Sequence, residues 1–205
     1  MDRYSLEPLL RSDIRACSAL LARVFKGNPA YSSVFRTSEV EAGLRWLFER
    51  NLGLQQETGA IRVLRDRMTG ELAGTFTLIP PNAPKISLLK MLRAGLPLMP
   101  LHFGRKSIQH LLQLKSTHDL EVQDVANGKS YWYLSMVAIQ PSLQGQGLGS
   151  SVLRSCLKAP LPMILTTQLE RNVRFYEKLG FRQDRQTEWR VGSRSFANWT
   201  LKRDL

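Results

Sequence analysis

Seven residues constrain this chain more than any others: Gln144-Gly145-Gln146-Gly147-Leu148-Gly149-Ser150, set between a β-prone run at 131–139 and a helix-periodic stretch at 147–158. Three glycines on alternate positions let the backbone turn tightly and leave its N–H groups without side-chain cover. At a helix start, those groups and the helix dipole attract an anion, and a phosphate or pyrophosphate is the natural ligand. The plainer reading is a simple strand-to-helix turn, for which one glycine would suffice. The two common nucleotide motifs fail on their own residues. Counted from Gly145, the dinucleotide fingerprint Gly-x-Gly-x-x-Gly needs glycine where Ser150 stands, and no lysine lies between Lys129 and Lys158 to complete a P-loop.

The rest of the chain builds an α/β domain around this turn. A short strand is expected at 4–9, then a helix capped by Ser12 with the apolar face Ile14, Cys17, Leu21, Val24 and Phe25, ending before Gly27-Asn28-Pro29. Ser38 and Glu41 have the spacing of a capping box for a second helix with the face Val40, Leu44, Leu47, Phe48 and Leu52. Strands at 60–65 and 72–79 flank a hairpin-length loop ending in Gly70. Residues 82–123 read as a basic helical insertion, with helices at 85–94 and 104–115 separated by Gly95, Pro97 and Pro100. After the β-prone run and the turn, a buried strand is expected at 163–167, a helix at 170–179 closed by Gly180, and strands at 181–189 and 196–201. The order predicts one domain over 1–205 with a mixed central sheet of about seven strands flanked by helices.

Composition excludes several classes. With 43% hydrophobic residues the chain is not intrinsically disordered, and no apolar run approaches the ~20 residues of a membrane-spanning helix. Cys17 and Cys156 are far apart, so neither a disulfide framework nor a metal site is expected. The opening Met1-Asp2-Arg3-Tyr4 lacks the apolar core of a secretory signal, and a cytoplasmic location is the expectation. The net charge of +12 is uneven. Residues 72–118 contain no carboxylate but carry Lys85, Lys90, Arg93, Arg105, Lys106 and Lys115, and residues 125–169 are likewise acid-free. Such stretches suit an anionic partner, such as nucleic acid, an acidic membrane surface or a polyphosphate cofactor. The insertion lacks interleaved aromatics for base stacking, which argues against nucleic acid as the main partner.

The segment Val137-Ala138-Ile139-Gln140-Pro141-Ser142-Leu143 followed by the glycine-rich turn resembles motif A of the Gcn5-related N-acetyltransferase (GNAT) family, with Gln144, Gly147 and Gly149 at the signature positions. Asn172-Val173-Arg174-Phe175-Tyr176-Glu177-Lys178-Leu179-Gly180-Phe181 resembles motif B of the same family. The resemblance is tight over 131–182 and loose elsewhere, and Tyr131-Trp132-Tyr133-Leu134 is similar to the branch that includes puromycin acetyltransferase. That branch often has Leu-Glu-Thr in the fifth strand, where this chain has Leu165-Thr166-Thr167, so its active-site acid has no counterpart at Thr166.

The resemblance implies acetyl-CoA as cosubstrate, an amine acceptor and no metal. Gln144, Gly145, Gln146, Gly147, Leu148, Gly149 and Ser150 would hold the pyrophosphate, and Val137, Ala138 and Ile139 would pair with the pantetheine and polarise the thioester carbonyl. Tyr176 aligns with the tyrosine that protonates the departing thiolate, against a reading as a core aromatic. Asn172 is either a helix-start residue or a cofactor contact. For the general base, His118 (beside Asp119), Glu121, Glu170 and a water chain all stay open. The insertion is expected to cover the acceptor end of the cleft and to make it positive, disfavouring a polyamine. The alternative function is an acyl-CoA-binding module without turnover. A homodimer is compatible with either function, and no membrane span is expected.

Overall fold

A computed structural model describes residues 3–81, 83, 88–157 and 161–204. Seven strands form one sheet: β1 (Tyr4–Pro8), β2 (Ile61–Asp66), β3 (Leu72–Ile79), β4 (Trp132–Ile139), β5 (Met163–Thr167), β6 (Arg182–Val191) and β7 (Arg194–Arg203), in the order β1-β2-β3-β4-β5-β7-β6. Every neighbouring pair is antiparallel except β4 and β5, which run parallel. The expected mixed seven-stranded sheet is present, with ends moved by at most two residues.

The helices are α1 (Ile14–Phe25), α2 (Pro29–Ser32), α3 (Val40–Gln55), α4 (Leu88–Arg93), α5 (Met99–Phe103), α6 (Arg105–Ala126), α7 (Leu148–Cys156) and α8 (Glu170–Glu177). One face of the sheet is covered by α1 and α3, whose Cys17, Leu20, Leu21, Leu44, Phe48 and Leu52 pack on Ile61, Val63, Met136 and Ala138. The opposite face is covered by α7 and α8, through Val152, Leu153, Val173 and Tyr176 against Leu64, Phe76, Leu134 and Leu165. Each fully buried leucine or phenylalanine contributes about 1.5–3 kcal/mol, so the apolar stripes anchor the helices.

Several local expectations are corrected. Neither Ser12 nor Ser38 caps a helix: short 3-10 turns at Arg11–Asp13 and Thr37–Glu39 lead into α1 and α3, and neither helix has a side-chain cap. Asn28 starts a helix instead of only ending one, because its side chain accepts from the N–H groups of Ala30 and Tyr31 and Pro29 supplies a preset first position. Likewise Pro97 and Pro100 occupy first-turn positions of a 3-10 turn and of α5.

The insertion differs most from expectation. Part of the helix expected at 85–94, including Lys85, lies outside the described residues. The helix expected at 104–115 runs on as α6 to Ala126, stopped by Asn127 in the left-handed region. Its second half is hidden from a simple periodicity reading, because only Val122, Val125 and Ala126 are apolar anchors, packed on Ile164 beside Tyr131 and Tyr133. Of the insertion's helices, α6 packs onto the sheet, over β4, β5 and the β6–β7 pair.

Candidate active site

The sheet opens at its one parallel junction. The register of β4 with β5 consists of Trp132↔Met163 and Tyr133↔Ile164 and goes no further. Beyond that point β4 pairs only with β3, as far as Gly74↔Ile139, while β5 pairs along its length with β7. The cause lies in β4. Met136 has φ 51° and the β3–β4 register shifts between Thr75 and Thr77, which marks a β-bulge. A bulge bends its strand and sharpens the local twist. It also reverses side-chain parity: Leu134 faces α7 and α8, Met136 and Ala138 face α1 and α3, and Val137 and Ile139 return to the α7–α8 side. A strand edge at 134–139 is thereby left facing a wedge-shaped opening.

The glycine-rich turn sits at the wide end of that opening. Gly145 and Gly147 have φ of 77° and 75°, and a Cβ built on either would meet no heavy atom within 4 Å. Both positions therefore combine a glycine-only conformation with open space. Gly149 differs: its φ is ordinary, and a Cβ there would lie 3.6 Å from Ile139 and from Phe175, so it permits close approach of α7 to β4 and α8. Gly147 caps α7 without a side chain. Among the described residues, no hydrogen bond occupies the backbone N–H groups of Gly145, Gln146, Gly147, Leu148, Gly149 and Ser150; the first helical bond is Ser151 N–H to the Gly147 carbonyl, 2.9 Å. The side chains of Gln144 and Gln146 brace the turn, donating to the carbonyls of Ile139 (3.0 Å) and Ser142 (3.1 Å). This donor set, uncapped and open, has the chemistry of an anion cradle.

On α8, Tyr176 is buried in the apolar cluster, its ring 5.1 Å from Phe175 and 5.7 Å from Phe181. Its hydroxyl makes no hydrogen bond to a described residue. Burial pushes the phenol pKa up, so the group stays protonated at neutral pH. Asn172 donates to Thr167 Oγ1 at 3.0 Å and ties the start of α8 to the end of β5.

On the α6 side, Tyr133 Oη lies 2.9 Å from Thr166 Oγ1 and 2.6 Å from His118 Nε2. His118 Nδ1 is 3.1 Å from Asp119 Oδ1, and Lys115 also bonds Asp119. The hydrogen bond from His118, then that from Lys115, hold the Asp119 carboxyl down at about 2. Burial raises Tyr133 strongly, and the nearby phenols of Tyr31 and Tyr176 raise it further; Tyr31 is itself pushed up to about 12 by burial. His118, Asp119, Lys129, Tyr131 and Tyr133 line a cavity of about 670 Å³ between α6 and the ends of β3 and β4.

The other base candidates are occupied elsewhere. Glu121 is buried and accepts from Thr187 Oγ1 (2.6 Å), Trp189 Nε1 (2.6 Å), Asn198 Nδ2 (2.7 Å) and Thr200 Oγ1, which fixes α6 to β6 and β7. The network continues through Asn198 and Gln168 to Asn28. Glu170 is exposed on α8 and pairs with Arg174 at 3.1 Å. Four of the insertion's cations have other surroundings. Lys90 pairs with Glu57 and Lys115 with Asp119, while Arg105 and Lys106 line a separate depression with Arg36 and Arg194. Sequence reasoning missed Tyr133, which an alternating β-prone run does not distinguish from a packing aromatic.

A sheet parted between two parallel strands, with an open glycine turn at its mouth and a tyrosine-bearing helix beside it, is the arrangement of the GNAT fold, which solved structures similar to this chain share. Residues 117–183 match the family model "Acetyltransferase (GNAT) domain". Among solved structures it is similar to the Corynebacterium glutamicum protein described as histone acetyltransferase HPA2 and related acetyltransferase, at 22% identity over 96% of this chain and 95% of that one, with a TM-score of 0.64. It is also similar to arylalkylamine N-acetyltransferase 2 from Aedes aegypti, at 12% identity over 98% of each chain and a TM-score of 0.64. A third is the phosphinothricin acetyltransferase of Sinorhizobium meliloti in complex with AcCoA, at 14% identity over 99% of this chain and 89% of that one, with a TM-score of 0.57. The similarity in fold runs through nearly the whole of this chain.

Proposed function

We propose that this chain transfers the acetyl group of acetyl-CoA to the primary amine of a small molecule. The observation that carries this reading is the parting of β4 from β5 directly after Tyr133↔Ile164, with the donor-lined turn at its open end. An extended pantetheine arm fits beside the edge at Val137, Ala138 and Ile139, and a pyrophosphate suits the free N–H groups of residues 145–150. Backbone N–H groups of the β4 edge would polarise the thioester carbonyl as negative charge builds on its oxygen. The amine nitrogen attacks the carbonyl carbon and the C–S bond breaks. Tyr176 then gives its proton to the leaving sulfur. No acyl-enzyme is needed.

Tyr131 and Tyr133 line the cavity beside His118, and their rings suit an acceptor amine carried on an aromatic body. Calorimetry with acetyl-CoA, followed by a thiol-release assay over aminonucleosides, arylalkylamines, polyamines and peptides, tests the reading. Saturable binding of acetyl-CoA with amine-dependent thiol release is expected. Absence of binding would remove the proposal, and binding without release for every amine would identify an acyl-CoA-binding module instead.

A further inference from the structure

The proposed reaction needs an unprotonated amine, and the fifth strand offers Thr166 where the family resemblance leads one to look for a carboxylate. Thr166 does not stand alone. Tyr133 is the last β4 residue paired with β5, and its hydroxyl reaches forward 2.9 Å to Thr166, two residues beyond the last paired β5 residue. That bond stretches over the point where the strands part, on the face opposite Tyr176. Behind it, His118 Nε2 lies 2.6 Å from the same phenolic oxygen and Asp119 Oδ1 lies 3.1 Å from His118 Nδ1.

We propose that Tyr133, His118 and Asp119 form a proton relay that strips the acceptor ammonium and delivers its proton to the cavity beneath α6. This rests on the acetyl-transfer reading above. The directions of the hydrogen bonds are set by the end members. The Asp119 carboxylate can only accept, so His118 donates from Nδ1 and accepts at Nε2. Tyr133 therefore donates to His118, which leaves its two lone pairs for Thr166 and for the incoming ammonium. The step is a double transfer. The N–H proton of the ammonium moves to Tyr133 Oη as the Tyr133 proton moves to His118 Nε2. The products are a neutral amine, an unchanged phenol and an imidazolium held by Asp119.

The surroundings explain why a relay, and not a lone tyrosinate, does the work. Burial and the neighbouring phenols of Tyr31 and Tyr176 make an anionic Tyr133 costly, so a proton arriving there must leave in the same motion. The groups facing His118 are Tyr133 from β4, the Trp189 ring from β6 at 6.3 Å, and Asp119 with its partner Lys115 on α6. Tyr131 and Lys129 line the same cavity and Glu121 is turned to the β6–β7 pair, so no second carboxylate competes for the imidazole among the described residues. The cavity gives the imidazolium an exit to water.

Two measurements test the relay. Nitrogen-15 NMR of the wild-type imidazoles should show His118 as the Nδ1–H tautomer, with an Nε2 shift that moves in Tyr133→Phe. An Nε2–H tautomer would overturn the proposal. Thiol release should then be followed against pH for wild type, Tyr133→Phe and His118→Gln. Near pH 7 the variants should lose roughly 10²-fold in turnover, the low end of general acid–base effects, with acetyl-CoA affinity unchanged. The deficit should shrink at least tenfold as pH approaches the pKa of the amine, because bulk solvent then supplies the neutral nucleophile. A deficit constant with pH, or none, would overturn the relay. Failure of the reaction itself looks different: the wild type then releases no thiol with any amine.

Discussion

Substituting Gly147 by valine separates the cradle from the fold it sits in. The residue has φ 75°, and its Cβ position is open to solvent, so valine meets no protein atom but adopts a conformation that β-branched residues avoid. The strain is about 1–3 kcal/mol, and at about 2–4 °C per kcal/mol for a chain of this size the melting temperature should fall by roughly 2–12 °C. Gly59 provides the control: its φ is 66°, nothing lies within 4 Å of its Cβ, and it stands between α3 and β2, away from the turn. Gly59→Val should therefore show a similar loss of stability. Acetyl-CoA affinity should part the two. The new side chain at 147 projects where the pyrophosphate would approach, and losing one or two charge-assisted bonds at about 1.5–3 kcal/mol each weakens binding by at least about tenfold. Calorimetry well below both melting points gives the answer. Unchanged affinity in folded Gly147→Val would refute the cradle, and an equal loss in Gly59→Val would mean that strain alone explains it.

Tyr176→Phe keeps the ring packing and removes the proton; turnover should fall about 10²–10⁴-fold with acetyl-CoA affinity nearly constant, read by steady-state kinetics and calorimetry. Glu121→Gln places an amide donor among Thr187, Trp189, Asn198 and Thr200, which all donate to the carboxylate. Two mismatched bonds, less the relieved cost of burying a charge, should cost about 2–4 kcal/mol in urea unfolding, without the pH-dependent loss of turnover expected for a base. Asp119, held down at about 2 against an ordinary 3.8, stabilises the fold above the ordinary value and loses that effect as pH falls through about 2. The stability gap to Asp119→Asn, on the order of 1 kcal/mol because the pair is partly exposed, should therefore be full above about pH 4 and close in strong acid, as denaturation against pH would record.

The sequence by itself determined the strand–turn–helix unit at 131–158, the positive-φ glycines within it, and the helix carrying Tyr176. Each of these is a local demand: conformations only glycine tolerates, a β-prone run, and an apolar stripe at helical spacing. It did not determine which acid or base serves the cleft. His118, Glu121 and Glu170 are equivalent as letters; only the packing of α6 on the sheet sends Glu121 into four donors and His118 to Tyr133, while Glu170 stays in solvent on α8. Nor could alternation along β4 show which side chains face which layer, since the bulge at Met136 reverses the parity halfway. The insertion's charge was legible, but not its direction: Lys90 and Lys115 are drawn to Glu57 and Asp119 by neighbours distant in sequence or one helical turn away. Local periodicity reports the face a residue occupies within its own element. What that face meets is fixed by register, bulge and helix placement, and these exist only once the chain has packed.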